Sequence, residues 1–260
     1  MKPITFTISL YLLLNLSGCS NIFSDPKDIA AGWTVQHLYS EAKEALEVGD
    51  YTAAIKYYEL LEARYPFGKY AQQAQLDVIY AYYKFSEPGS AIIAADRFLK
   101  LHPRHDKADY VYYLKGLVNF EANQGGLDRF LPVDRSQRDQ KTTLQSFLDF
   151  SQLVERYPKS KYSEDARQRM LYLRNMLAKH ELHVAKYYLK RGAYVAAANR
   201  AKTVVESYQR TPAVPEALII LAKAYKIMDL NDLSASAIKV LKLNYPENRE
   251  IAKVENLQVK

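Results

Sequence analysis

One cysteine, Cys19, is present in 260 residues, so no internal disulfide can form and packing has to supply the stability. Glycine is scarce as well, nine in all, and none sits in a phosphate-cradling loop or a dinucleotide fingerprint. Without a second cysteine there is no thiolate cluster for a metal. The nearest metal-like string, HELH at 180–183, lacks the two-residue gap that puts both imidazoles of HExxH on one helical face around a zinc. His180 and His183 are therefore read as structural, as are His102 and His105 in the turn around Pro103, and no metal ligand is assigned. Carboxylates are numerous, but none forms a pair set apart from the amphipathic pattern, so neither a glycosidase nor a protease can be argued and no enzyme is expected. Long apolar runs are confined to ITFTISLYLLLNL at 4–16, which is too short for a permanent membrane span.

That run has Lys2 before it and small residues after it, the order of an export signal. Leu16, Ser17, Gly18 and Cys19 stand where a cleavage site would be, and they resemble the lipobox of bacterial lipoproteins. The resemblance implies cleavage before Cys19, a diacylglycerol group on its sulfur and an N-acyl lipid on the freed amine, with no other cofactor. Three acyl chains, at about 0.8 kcal/mol per buried methylene, would hold a soluble body to a membrane. Ser20 follows the cysteine where an aspartate would resemble an inner-membrane retention signal, which favours the outer membrane. The formal charge is +7, and loss of residues 1–18 removes only Lys2 and leaves +6 on side chains. A basic body of this kind suits anionic lipid, an acidic partner or nucleic acid. Its charge is spread along the chain, however, and no cluster of the sort that nucleic-acid binding needs is apparent.

What the chain has in abundance is helical periodicity and tyrosine, 22 of them, often in couples such as Tyr57–Tyr58, Tyr82–Tyr83, Tyr112–Tyr113 and Tyr187–Tyr188. Most of these are expected to pack, the rest to line a groove. One pattern returns five times, as AIKYYELLEARYP, AIIAADRFLKLHP, SFLDFSQLVERYP, AANRAKTVVESYQ and SASAIKVLKLNYP. The closing positions 66, 103, 158, 209 and 246 lie 37, 55, 51 and 37 residues apart. Proline closes four of the five, and the residue before a proline is pushed out of helical geometry. The pattern resembles the tetratricopeptide repeat, most fully at Leu218, Leu221, Ala222, Tyr225, Ser234, Ile238, Leu241 and Pro246. An all-α solenoid of about five tetratricopeptide helix pairs is the fold expected. Ser163–Arg191 contains neither glycine nor proline and is expected to form one long helix. Its packing seam is read as Ala166, Met170, Leu173, Leu177, His180, Val184 and Tyr187. The expected organisation is a signal peptide at 1–18, a lipidated tether at 19–32, an N-terminal half at 33–123, an inserted loop at 124–140, a C-terminal half at 141–250 and a tail at 251–260.

Longer stretches narrow the resemblance. RYPFGKYAQQAQLDVIYAYYK at 64–84, VDRSQRD at 133–139 and GAYVAAANR at 192–200 are similar to the BamD (ComL) family of outer-membrane assembly lipoproteins, with departures at Pro132, Gln137 and Gln140. The resemblance implies a lipid-anchored scaffold on the periplasmic face of the outer membrane of a Gram-negative bacterium, without nucleic-acid binding. Its partners would be a POTRA domain of the barrel subunit BamA, other lipoproteins of the assembly (BAM) machinery and unfolded β-barrel precursors. It assigns Arg200 and Asn199 to the BamA contact, where a guanidinium can pair with a carboxylate through two parallel bonds. The peptide pocket for precursors is expected at Gln73, Asp77, Tyr80 and Tyr83, spaced by four, three and three along one helical face. A lipoprotein for DNA uptake or cell-wall binding, and a pilotin-like factor for secretin assembly, stay open as alternatives.

Overall fold

The computed structural model describes residues 30–122 and 134–257. Cys19, the signal segment, most of the tether and the greater part of the inserted loop lie outside the described residues. Among the described residues there are eleven α-helices, a single 3-10 turn and no strand. The helices are α1 (Val35–Val48), α2 (Tyr51–Arg64), α3 (Lys69–Lys84), α4 (Pro88–Leu101), α5 (Ala108–Ala122), α6 (Lys141–Arg156), α7 (Ser163–Lys190), α8 (Tyr194–Ser207), α9 (Val214–Ile227), α10 (Asn231–Asn244) and α11 (Glu250–Glu255). Each helix packs on the next, so five antiparallel pairs stack in order and α11 closes the last.

Local chemistry sets the boundaries. The Thr34 and Asp50 side chains accept from the backbone N–H groups of His37 and Ala53, capping α1 and α2. Between them Gly49 takes φ +83°, the left-handed conformation that glycine adopts without penalty, and ends α1 in two residues. The even-numbered helices α2, α4, α6, α8 and α10 all end alike. Tyr65, His102, Tyr157, Tyr208 and Tyr245 leave helical geometry while donating a backbone N–H to Leu61, Phe98, Leu153, Val204 and Leu241. Tyr208 does so with Gln209 after it, so proline reinforces this ending and is not required for it.

The same five acceptor residues are almost fully buried, and seven residues before each lies a buried small residue: Ala54, Ala91, Ser146, Ala197 and Ser234. Small side chains there let two helix backbones approach, and the two serines donate to Gly116 O and Ala222 O across the pair, each at 2.9 Å. Gly116 completes one such approach, since a Cβ there would lie 2.8 Å from Cζ of Phe150 and closer still to two other ring carbons. The core is accordingly a row of clusters. Leu38, Tyr58 and Leu61 belong to the first, Ile79, Phe98 and Val111 to the second, Phe150, Leu153 and Leu173 to the third, and Ala185, Val204, Leu218 and Leu241 to the last.

Helix α7, 28 residues or about 42 Å long, belongs to two of these clusters. Its seam does not run straight as the spacing predicts. Ala166, Leu173 and Leu177 are buried, but beyond them the buried positions are Ala178, Leu182 and Ala185, while His180 and Val184 are only half-buried and Tyr187 is 57% exposed. A helix drifts by about 20° per heptad from a strict seven-residue repeat. The second half of α7 also meets new neighbours, α8 and α9, on a different side.

Candidate functional site

Successive odd-numbered helices touch along one side, α1 with α3, α3 with α5 and α7 with α9, so this layer is the inner side of the curve. A ladder of tyrosine-to-carboxylate bonds runs along its N-terminal part. Tyr39 of α1 donates to Asp77 Oδ2 of α3 at 3.0 Å, Tyr83 of α3 to Glu121 of α5 at 2.6 Å, and Tyr113 of α5 to Asp165 of α7 at 2.7 Å. Burial, with the adjacent carboxylate second, raises all three phenols above their ordinary range, so each remains a donor. Asp165 is held below the usual carboxylate range: burial opposes the shift, but Arg169, at 2.5 Å, and Tyr113 outweigh it.

The four residues expected to form a peptide pocket lie together on α3. Asp77 is the centre of the group, accepting from Tyr39, from Tyr58 at 3.3 Å and from Gln73 at 3.0 Å. Its carboxylate is thus engaged within the fold, and Gln73 is the exposed member. Tyr80 and Tyr83 stand 6.2 Å apart, tilted by 53°, and both are half-buried. An exposed amide beside two half-buried phenol rings thus sets hydrogen-bonding and apolar groups together on one helix.

The tyrosine couples have a geometric reason that spacing alone did not reveal. Adjacent helical residues point about 100° apart, so a doublet reaches two different neighbours. In α3, Tyr82 hydrogen-bonds Glu59 of α2 while Tyr83 reaches α5; in α5, Tyr112 lies against Tyr157 while Tyr113 reaches α7.

Arg200 and Asn199 are both exposed on α8. Arg200 Nη1 lies 3.2 and 3.1 Å from the two oxygens of Glu181, which orients the guanidinium through one nitrogen. The histidines of HELH hold the returning end of the insert on α7. His180 Nδ1 is 2.8 Å from Ser136 O, and His183 Nε2 is 3.2 Å from Asp134 Oδ2, which Lys179 also meets at 2.9 Å. Lys179 and the Ser136 hydrogen bonds keep the Asp134 carboxyl well below its ordinary range. Gln140, one of the departures from the family pattern, closes this segment by donating to Arg135 O and Arg138 O. Among the described residues no group of three metal-ligating side chains is assembled.

Comparison with known proteins places these features. A family described as outer membrane lipoproteins, YfiO, matches residues 33–241. The outer membrane protein assembly factor BamD of Neisseria meningitidis serogroup B is 45% identical over 248 residues, 95% of this chain and 93% of that protein. The chain belongs to the BamD family. A BamD from Vibrio cholerae is 39% identical over 92% of this chain and 98% of its own, and one from Haemophilus influenzae is 34% identical over 94% and 92%. The matched span of the BamD family opens at Trp33, ahead of α1, and reaches Leu241 in α10, so it takes in the ladder, the α3 group and Arg200 together.

Proposed function

We propose that the chain is a lipid-anchored scaffold of outer-membrane β-barrel assembly, holding BamA through its C-terminal repeats and unfolded barrel precursors through its N-terminal ones. The observation that carries this is the family match from Trp33 to Leu241, joined to relatives named as outer membrane protein assembly factors. No described helix is long and apolar enough to cross a membrane, so attachment falls to Cys19 and its diacylglycerol and N-acyl lipid. The roles are those of a binding surface, with no catalytic group. Arg200, steadied by Glu181 through one nitrogen, offers its remaining donors to a carboxylate on a POTRA domain, with Asn199 beside it. Gln73, Tyr80 and Tyr83, on the frame set by Asp77, receive the last strand of a precursor.

The test is purification of the tagged protein from detergent-solubilised outer membrane. A large barrel with POTRA domains is expected with it, and Arg200→Lys, which keeps the charge but loses the planar fork, lowers that recovery. Recovery of a secretin in its place, or the protein's absence from the membrane fraction, overturns the reading. Crosslinking from position 83 is expected to label a precursor's final strand.

A further inference from the structure

One rim of the N-terminal half is basic from end to end, and the chain enters the body there. Arg64 Nη1 donates to Ala30 O at 2.6 Å and Tyr65 to Trp33 O at 3.1 Å, fixing the entry beside the end of α2. Arg97 near the end of α4 pairs with Glu62 near the end of α2. Ser160, after α6, donates to Asp109 at the start of α5 at 2.6 Å, and Tyr110 lies 5.5 Å from Tyr162. The entry and the turns after α2, α4 and α6 therefore share one edge.

Along that edge Lys69, Lys100, Arg104, Lys107, Lys159 and Lys161 are exposed. Among the described residues none of the six has a carboxylate within ion-pairing distance, although Asp106 and, paired with Arg167, Glu164 stand exposed on the same edge. On the opposite edge of the same repeats the exposed charges of the described turns are of both signs, Glu47, Asp50, Glu87, Glu121 and Asp139 against Lys84, Arg138 and Lys141. At the tip of the first basic turn Phe67 is 89% exposed, between Pro66 and Gly68 and two residues before Lys69.

We propose that this rim is a membrane-contact surface, in which the six cations meet anionic phospholipid headgroups and Phe67 enters the boundary between headgroups and acyl chains. Lysine and arginine close to an anionic bilayer contribute roughly a fivefold gain in partitioning each, and an exposed aromatic ring adds apolar burial. Ala30 is eleven residues along the chain from Cys19, a reach of at most about 40 Å, so a lipid on Cys19 would keep this rim near the bilayer. Bilayer contact along the rim also lays the row of repeats along the surface.

The proposal rests on the reading that the chain works at a membrane, but its test needs no lipid on Cys19. The core clusters are closed among residues 30–254, so the chain from residue 20 onward is used unacylated. Its binding is compared on phosphatidylcholine vesicles with and without phosphatidylglycerol. Neutralising Lys100, Arg104, Lys107 and Lys159 to serine is expected to lower partitioning to the anionic vesicles by about 600-fold. The same change at Lys202, Lys239, Lys242 and Lys253, in the C-terminal half, is expected to alter it far less. Phe67→Trp is expected to shift its emission to the blue on anionic vesicles, above the Trp33 background of the parent. An equal loss with both sets of variants assigns the effect to net charge and overturns the proposal. So does an unshifted Phe67→Trp signal, or equally tight binding of a single-stranded oligonucleotide that is lost with the same rim variants.

Discussion

Asp77 separates a structural role from a ligand-binding one, because removing it strands a hydroxyl. The Tyr58 side chain is 1% exposed, and its hydroxyl donates to Asp77 at 3.3 Å. Burial, then the Asp77 charge, holds its phenol well above the ordinary range, so it stays protonated and needs an acceptor. In Asp77→Ala that donor is orphaned at a cost of about 1–3 kcal/mol, while the half-buried Tyr39 turns to water and loses about 1 kcal/mol. The expected total is about 3 kcal/mol. Tyr58→Phe alone should cost about 1 kcal/mol, since one bond to a charged acceptor is lost and Asp77 keeps two donors. In the Asp77→Ala background the same substitution removes the stranded hydroxyl, so it should stabilise by about 1 kcal/mol, a coupling near 2 kcal/mol. Urea unfolding followed by circular dichroism reads this cycle. Hydrogen exchange in α1–α3 is the second readout, because repeat arrays can open in parts. A Tyr58→Phe cost that is the same in both backgrounds refutes the reasoning. So does an Asp77→Ala variant as stable as the parent that no longer binds precursor peptides, which would return Asp77 to the role of a ligand group.

Three further outcomes follow from the packing and charge placement. Gly116→Ala puts a methyl into the buried ring of Phe150, and overpacking of about 1–3 kcal/mol should exceed the helix-propensity gain of about 1 kcal/mol, lowering Tm by a few degrees in a thermal melt. Asp149 is buried, accepts from Asn119 and Gln145 and lies 3.6 Å from Lys115, which keeps Asp96 at 2.6 Å, so Asp149→Ala should cost about 1–3 kcal/mol in urea unfolding through its lost hydrogen bonds, with Asp149→Asn losing less. The His102 imidazole, pushed below 6.5 by burial and then by His105, is protonated more readily in the unfolded chain, so its contribution weakens as pH falls below about 6.5. His102→Gln should flatten that part of the pH–stability curve relative to the parent, and an unchanged slope would contradict the assignment.

The repeats were legible because their signal is local. A small residue, an apolar one seven later and a chain reversal four after that are spaced by helix geometry alone, and all five pairs obey it from Ala54–Leu61–Tyr65 to Ser234–Leu241–Tyr245. The seam of α7 was only half legible. Periodicity fixes which residues share a face, but the buried face is chosen by the neighbours, and those change at Leu177–Ala178. For the same reason the grouping on α3 could be read from spacing, while the commitment of Asp77 to Tyr39 and Tyr58 could not, as its partners come from 38 and 19 residues away.

The ladder ties these points to function. A solenoid whose repeats touch only their neighbours would bend at each joint if apolar contact alone held it, since such contact is non-directional. A hydrogen bond of 2.6–3.0 Å from each odd helix to the next fixes rotation as well as distance, and three in succession run from α1 to α7. Helix α7 then carries the arrangement into the second half through Leu173 on one side and Leu182 on the other. The α3 residues proposed to receive a peptide and Arg200 on α8 are therefore held at a set separation, the geometry that the proposed scaffold would use to present a precursor and a barrel subunit to each other. Breaking the rung outside the proposed peptide group, Tyr113→Phe, should cost about 1 kcal/mol in stability yet weaken simultaneous engagement of both partners more than either partner alone. A variant that binds each partner and the pair as the parent does would show that the repeats do not need to be rigid.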